Sequence, residues 1–182
     1  MSTRVLTVSG EIATGKSTIV AALLKKLSQW SKVNTGEIFR EICANRGWSI
    51  QEVSFIPDEL HKEVDEQQRQ LALSGSQIII ESRLIGWLTR DASDVFSVFC
   101  YAPLEVRTQR YISREGVSLE KAIQEIKYRD EKDLLKFRSM YDLDDYRSNK
   151  FYNLMLDTST GTPDELATLI MDTAHLTEQN PE

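Results

Sequence analysis

Gly10-Glu11-Ile12-Ala13-Thr14-Gly15-Lys16-Ser17 matches the phosphate-binding loop pattern G-x-x-x-x-G-K-[ST]. The loop follows an apolar run at residues 5–8 that predicts a buried strand, and a helical pattern begins where the loop ends. Glycines let the backbone turn tightly enough to aim several N–H groups at a phosphate, and the following helix adds the positive end of its dipole. Strand, loop and helix together predict a nucleoside triphosphate site.

The residues of this loop have distinct expected roles. We expect nine consecutive residues to form the ATP site: Gly10, Glu11, Ile12, Ala13, Thr14, Gly15, Lys16, Ser17 and Thr18. Lys16 supplies a mobile charge that can follow a transferring phosphoryl group, and the Ser17 hydroxyl is placed to ligate Mg²⁺.

The composition is that of one soluble globular domain. The chain has 182 residues, of which 41% are hydrophobic and 27% charged, and its formal net charge is −6. This charge argues against binding to nucleic-acid polymers or anionic membranes, although residues 102–138 hold nine Lys and Arg against seven Asp and Glu. Cys43 and Cys100 form no paired motif, and no signal peptide or membrane span is evident. We therefore expect a cytoplasmic protein that is a monomer or a weak homodimer.

Short apolar stretches alternate with helical patterns along the chain. Strands are predicted at 4–8, 32–34, 77–81, 94–101 and 151–156. Helices are predicted near 16–29, 36–46, 57–74, 103–114, 118–139 and 163–175. This alternation predicts an α/β fold of the P-loop NTPase class, in which helices flank a parallel sheet and ligands bind beyond the carboxyl ends of its strands.

Several functions are disfavoured by the sequence. A guanine-specific switch is disfavoured because no Asp follows Asn149-Lys150 at the spacing of a base-recognition loop. The chain is short for a motor or helicase core, which leaves small phosphotransferases as the best class. His61 and His175 lie in helical, charged surroundings, where we expect surface residues rather than catalytic ones.

Phosphoryl transfer requires cations beside the phosphate-binding loop, and three basic groups could supply them. They are Arg40 near the start of the second predicted helix, Arg83 in Glu81-Ser82-Arg83 at a strand end, and Arg107, Arg110 and Arg114 with Arg129, Asp133 and Lys136 on two consecutive helices. Each group also has an ordinary interpretation as a solvated or surface-paired charge. Their combination with a phosphate-binding loop favours an anion site.

Four further segments agree in order with one known family. They are Thr35-Gly36-Glu37-Ile38-Phe39-Arg40-Glu41, Glu81-Ser82-Arg83-Leu84-Ile85-Gly86-Trp87, Ala102-Pro103-Leu104-Glu105-Val106-Arg107 and Arg114-Glu115-Gly116. Together they resemble the cytidylate kinases of the short, archaeal type over nearly the whole chain. The resemblance implies ATP-dependent phosphorylation of CMP or dCMP with Mg²⁺. It also implies one nucleoside monophosphate kinase domain at 1–176 with a five-stranded core, a monophosphate-binding region at 35–75, a mobile lid at 107–138 and a flexible tail at 177–182.

The resemblance also implies roles for individual residues. The acceptor nucleotide would be held by Thr35, Gly36, Arg40, Asp65, Arg83, Arg129, Asp133 and Lys136. Arg40, Arg83 and Lys136 would grip the acceptor phosphate, Arg129 and Asp133 would face its sugar, and Asp65 is a candidate for the base pocket. Catalysis would fall to Lys16, Arg83, Arg110, Arg114 and Arg129, of which Arg110 and Arg114 would close on the ATP phosphates. Glu81 would hold Mg²⁺ through a water, beside Ser17.

Three positions depart from the family pattern. Ser82 stands where a glycine is usual, Lys136 where an arginine is usual and Phe137 where a tyrosine is common. Because lysine cannot form the bidentate fork of arginine, the acceptor identity is less certain than the chemistry. Two alternatives stay open: a kinase of the same fold for a modified nucleotide, a nucleoside or another small acceptor, and a nucleotide-binding module without catalysis. The intact Lys16, Ser17 and lid arginines weigh against the second.

Overall fold

Five parallel strands form the centre of the molecule. The computed structural model describes residues 3–33, 35–47 and 57–177. The strands in these ranges are β1 (Val5–Gly10), β2 (Ser31–Val33), β3 (Ile78–Glu81), β4 (Val95–Tyr101) and β5 (Leu154–Asp157). Their order in the sheet is β2-β3-β1-β4-β5, and all four pairings are parallel. The predicted fold class is confirmed.

Helices connect successive strands. In the described ranges they are α1 (Lys16–Lys26), α2 (Thr35–Asn45), α3 (Asp58–Ser74), α4 (Ile85–Leu88), α5 (Leu104–Glu115), α6 (Leu119–Tyr141) and α7 (Pro163–Thr173), with a 3-10 helix at Asn149–Phe151. Helix α4 was not predicted, because a single turn is too short to show helical periodicity. The predicted strand at 151–156 was placed too early, because the 3-10 helix occupies its first residue. Asn34 and residues 178–182 of the predicted tail lie outside the described residues.

Local sequence signals explain where the longer helices begin and end. Helix α7 begins with a capping box: the Thr162 hydroxyl accepts a hydrogen bond from the Glu165 N–H, and the Glu165 carboxylate accepts one from the Thr162 N–H. Pro163 follows at the first helical position. Gly116 ends α5 in the left-handed conformation with φ of 66°. The Ser118 hydroxyl then accepts a hydrogen bond from the Lys121 N–H at the start of α6.

The sheet is covered by a hydrophobic layer on each face. On one face, Leu6 and Val8 pack with apolar residues of α1 and α7, such as Leu23 and Ile170. On the other, residues of β1, β3 and β4 pack with α3, α4, α6 and the segment that follows α6: Val5, Ala72, Ile80, Leu84, Ile85, Leu88, Val95, Phe99, Phe137, Leu143, Tyr146 and Tyr152. This arrangement fixes the carboxyl ends of the strands, where the candidate site lies. Among the described residues, no helix combines the length and apolar character needed to cross a bilayer.

Candidate active site

The phosphate-binding loop lies between the carboxyl end of β1 and the first turn of α1. Gly10 has a φ of 147°, and a Cβ there would lie 2.3 Å from the Cys100 carbonyl oxygen, so a side chain does not fit. Gly15, with a φ of 85°, precedes α1 and provides no side-chain cap for the helix. The first N–H groups of α1 are therefore available to an anion, in the field of the helix dipole.

Lys16 lies within this loop in a partly buried position. Its Nζ donates a hydrogen bond of 2.6 Å to the Glu11 carbonyl oxygen. Burial lowers the pKa of Lys16 to about 8, although Cys100 and Glu81 oppose the shift. Phosphate oxygens would restore the stabilisation that the ammonium loses on leaving water, so the site is suited to a polyphosphate.

The end of β3 touches the loop through a carboxylate. Ser17 Oγ donates a 2.6 Å hydrogen bond to Glu81 Oε1, and Lys32 Nζ lies 2.5 Å from Glu81 Oε2. A hydroxyl and a carboxylate oxygen side by side are hard oxygen ligands of the kind that Mg²⁺ prefers, and Mg²⁺ commonly keeps several waters besides. Ser17 and Glu81 therefore fit the predicted metal. Among the described residues, no cluster of three or more His, Cys, Asp or Glu side chains adds a second candidate.

A cavity of about 690 Å³ opens beside the loop. Its lining comes from the loop, α1, α5 and the segment after β5: Ala13, Gly15, Lys16, Ser17, Thr18, Ile19, Gln109, Arg110, Ser113, Arg114, Thr158, Gly161, Pro163 and Leu166. We call this cavity the donor pocket. Its size is in the range of small-ligand pockets.

Arg110 and Arg114 project from α5 into the donor pocket, as predicted for residues near the phosphate-binding loop. Arg110 donates hydrogen bonds to Thr158 Oγ1 and to the Thr158 carbonyl oxygen, at 2.8 and 2.7 Å. Thr158 Oγ1 in turn donates to the Thr14 carbonyl oxygen at 2.6 Å. Arg114 pairs with Glu115 and lies 5.3 Å from the centre of the Tyr111 ring. Thr158 directly follows β5, and its place after a strand end is a sequence signal that could have identified it.

Arg107 does not share the exposed cationic face predicted for α5. Its side chain is 6% exposed and forms ion pairs with Glu11 at 3.1 Å and with Asp130 of α6 at 2.7 Å. Arg147, which the sequence analysis missed, pairs with the other oxygen of Glu11 at 3.2 Å and with Asp145 at 2.8 Å. Glu11 is thus held by two guanidinium groups rather than turned toward the donor pocket.

A second cavity, of about 350 Å³, lies among α3, α6 and the end of β3. It is lined by Thr35, His61, Val64, Asp65, Gln68, Ser82, Arg83, Leu84, Asp133, Lys136 and Phe137. We call it the acceptor pocket. Five predicted acceptor residues meet here, although they come from distant parts of the chain: Thr35, Asp65, Arg83, Asp133 and Lys136.

The charges of the acceptor pocket are coupled. The Arg83 guanidinium forms an ion pair with Asp133. Burial raises the pKa of Asp133, and Arg83 opposes this shift. Burial lowers the pKa of Lys136, while Asp65 and then Asp133 raise it, so Lys136 lies within the field of both carboxylates.

Some expectations for site residues are not met by the geometry. Arg129 is on α6, half exposed and 4.0 Å from Glu125, and it lines neither the donor nor the acceptor pocket. His61, expected on the surface, lines the acceptor pocket. Gly36 and Arg40 fall in α2, but the structure describes only the backbone at these two positions. The Ser82 hydroxyl accepts a 3.1 Å hydrogen bond from the Ile85 N–H and so supports the start of α4.

Comparisons with known proteins agree with this architecture. The model of the cytidylate kinase-like family matches residues 5–160. A cytidylate kinase of Natronomonas pharaonis is 34% identical over 168 residues, which cover 91% of this chain and 86% of that protein.

Solved structures share the fold at low sequence identity. An uncharacterised protein from Eubacterium ventriosum has a TM-score of 0.75 at 16% identity, over 96% of this chain and 99% of the other. Shikimate kinase from Acinetobacter baumannii has a TM-score of 0.59 at 18% identity, over 93% and 91% of the two chains. Because the family model covers most of the sequence and the phosphate-binding loop has the geometry described above, the chain belongs to the cytidylate kinase-like family.

Proposed function

We propose that this protein transfers the γ-phosphoryl group of ATP to CMP or dCMP, producing ADP and the cytidine diphosphate. One observation carries the proposal: the end of β3 joins the two pockets. Glu81 accepts a hydrogen bond from Ser17 of the phosphate-binding loop, and Arg83, two residues later, lines the acceptor pocket. Two phosphorylated ligands bound in these pockets would therefore bring their phosphates toward the same strand end.

In the donor pocket, the charged groups act on the phosphates of ATP. The N–H groups at the start of α1 and the Lys16 ammonium bind the β- and γ-phosphates, while Arg110 and Arg114 approach from α5. Ser17, and Glu81 through a water, would hold Mg²⁺, which would neutralise part of the phosphate charge. These residues stabilise the charge that develops as the bond to the leaving oxygen breaks.

In the acceptor pocket, Arg83 and Lys136 bind the monophosphate, and we retain Arg40 as a third cation on the strength of the sequence. An oxygen of the acceptor phosphate attacks the γ-phosphorus in line with the leaving oxygen. That oxygen is already anionic at neutral pH, so the transfer requires no general base. Rate enhancement comes from orientation and charge neutralisation. Arg129 has no part in this arrangement unless α6 moves.

We further propose that residues 107–138 form a mobile lid that closes when both nucleotides bind, with Arg107 anchoring its base through Glu11 and Asp130. Cys43 and Cys100 are buried free thiols, which agrees with a reducing cytoplasm.

Release of ADP from ATP, followed with CMP, dCMP, UMP, AMP, GMP and the matching nucleosides as acceptors, tests the proposed function. We expect the highest kcat/KM with CMP or dCMP. Lys16→Ala should lower kcat by about 100-fold or more, because it removes a charge that follows the transferred group. Lys25→Ala, which changes an exposed lysine of the same helix, is the matched control. Turnover only with another acceptor, or full activity of Lys16→Ala, would contradict the proposal.

A further inference from the structure

Gln68 holds a buried amide in the wall of the acceptor pocket. The residue is 3% exposed, and no described residue donates a hydrogen bond to its Oε1. A buried carbonyl oxygen without a donor destabilises the fold, because it gives up its hydrogen bonds to water without replacement. Since Gln68 lines the pocket, a ligand with an N–H group at this position would supply the missing donor.

Asp65 lies one helical turn before Gln68 on α3 and lines the same pocket. Its Oδ2 accepts a 2.7 Å hydrogen bond from the Tyr141 hydroxyl. Burial raises the pKa of Asp65, and both this hydrogen bond and the nearby Lys136 oppose the shift by favouring the charged carboxylate. In its ionised form the carboxylate accepts hydrogen bonds only and has room for several, so Asp65 then offers acceptor capacity to a ligand.

Two acceptors one helical turn apart in the wall of a pocket match a primary amino group, which has two N–H donors. Cytosine carries such a group at position 4, and uracil carries a carbonyl oxygen there. The Gln68 amide can pair with cytosine by accepting from the 4-amino group and donating to N3. Asp65 can then accept the second amino hydrogen.

An ionised Asp65 would distinguish the two bases. The Gln68 amide could rotate and donate to the uracil 4-oxygen, but the Asp65 carboxylate has no proton to donate, so uracil would place an oxygen against a negative charge. The pocket volume of about 350 Å³ is near the lower end for small-ligand sites, which favours a single-ring base over a purine.

We propose that Asp65 and Gln68 together recognise the 4-amino group of the acceptor base and so select cytosine over uracil. This inference rests on the proposed function, because it concerns the same acceptor pocket. Arg83 and Lys136 bind the phosphate of the same nucleotide. Val64 and His61, on the same face of α3, contribute further wall to the pocket.

The test measures both binding and turnover. The dissociation constants of CMP, UMP and the pyrimidin-2-one ribonucleotide, which has only hydrogen at position 4, are determined by calorimetry, and kcat/KM is determined in parallel. The wild type should bind CMP most tightly and UMP most weakly. The pyrimidin-2-one should fall between them, because it lacks the amino group without adding an opposing oxygen.

Two variants separate the two acceptors. Gln68→Met, which keeps the side-chain length, should weaken CMP binding about 10-fold to 100-fold, with little effect on UMP. Its melting temperature should be unchanged or higher, because an unpaired buried oxygen is removed. Asp65→Asn should reduce the preference for CMP over UMP by about 10-fold or more, mainly by improving UMP binding, because an amide can donate to the 4-oxygen.

Two control variants and the pattern of outcomes make the test decisive. Thr108→Val removes another buried unpaired oxygen, away from both pockets, and Glu66→Gln removes an exposed charge from α3. Neither should alter the ratio of CMP to UMP binding. If CMP is phosphorylated but neither pocket variant changes that ratio, the assignment of Asp65 and Gln68 is wrong and the proposed function stands. If the ratio falls as expected but no nucleotide is phosphorylated, the proposed function fails and the base recognition stands.

Discussion

Arg147 donates a hydrogen bond of 3.2 Å to Glu11, across 136 residues of sequence. A side chain from the segment after α6 therefore contacts the second residue of the phosphate-binding loop. Glu11 adds a negative charge to a loop that must accept a polyphosphate, and Arg147 and Arg107 offset that charge. The Arg147–Glu11 ion pair thus makes the charge of the phosphate-binding loop depend on a residue that is distant in sequence.

Arg147→Ala should raise the KM for ATP by about 2-fold to 5-fold, because a partly exposed ion pair contributes up to about 1 kcal/mol. The KM rises because Glu11 keeps its negative charge when Arg147 is removed. The double variant, Glu11→Gln with Arg147→Ala, should therefore have a KM for ATP close to that of the wild type. Steady-state kinetics on the four proteins measures the coupling. If the double variant is as impaired as Arg147→Ala alone, Arg147 acts in some other way.

Arg107→Ala should mainly affect stability. Its side chain is 6% exposed and pairs with both Glu11 and Asp130, so its loss leaves the largely buried Asp130 without this partner and Glu11 with Arg147 alone. We expect the free energy of unfolding to fall by about 3 kcal/mol, compared with about 1 kcal/mol or less for Arg147→Ala. Urea denaturation of both variants measures the difference. If the free energy of unfolding falls equally in Arg107→Ala and Arg147→Ala, Arg107 is not the structural anchor.

Binding of ATP should weaken as the pH rises through the lowered pKa of Lys16, which is about 8. Below this pH the ammonium is charged in the free protein and ready to bind phosphate. Above it, binding must first return a proton to Lys16. The dissociation constant at constant free Mg²⁺ should therefore rise about 10-fold between about pH 7 and about pH 9. Lys16→Arg serves as the control because arginine does not titrate in this range, and an equal rise in that variant would contradict the assignment.

Local patterns were sufficient to predict the framework of the fold and the donor pocket. The phosphate-binding loop is a contiguous motif, and its glycines, Lys16 and Ser17 have roles that follow from their positions within it. The parallel sheet followed from the alternation of apolar strands with helices. The end of β3 could be placed beside the loop because parallel strands end at one edge of a sheet.

Contacts between distant residues could not be predicted in this way. Arg147 lies in an irregular segment, where no periodicity indicates which way a side chain points. Gln67 and Gln68 are adjacent and alike in sequence, yet only Gln68 is buried, because the packing of α3 decides which face is covered. Arg129 and Arg107 were both predicted to lie on cationic faces that could bind an anion, but Arg129 is half exposed beside Glu125 and Arg107 is enclosed by Glu11 and Asp130.

Lys136→Ala should raise the KM for CMP about 10-fold, the effect expected when a charged hydrogen bond to the acceptor phosphate is removed. Lys136→Arg should leave that KM unchanged or lower it, because the guanidinium can form a forked contact with phosphate. The KM for ATP should stay within about 2-fold in both variants, since Lys136 lines only the acceptor pocket of the two. A parallel rise in both KM values would show that Lys136 acts on the donor side.

Ser82→Gly tests whether this side chain crowds the acceptor pocket or supports the fold. The family pattern alone suggests that glycine would improve CMP turnover by opening the pocket. The structure gives the hydroxyl a different task, since it accepts a hydrogen bond from the Ile85 N–H at the first residue of α4. We therefore expect Ser82→Gly and Ser82→Ala each to lower the free energy of unfolding by about 1 kcal/mol, with the KM for CMP within about 2-fold of wild type. Comparing the two variants is decisive, because alanine keeps the Cβ that would cause crowding. A several-fold lower KM for Ser82→Gly alone, with stability unchanged, would show that crowding is the main effect of Ser82.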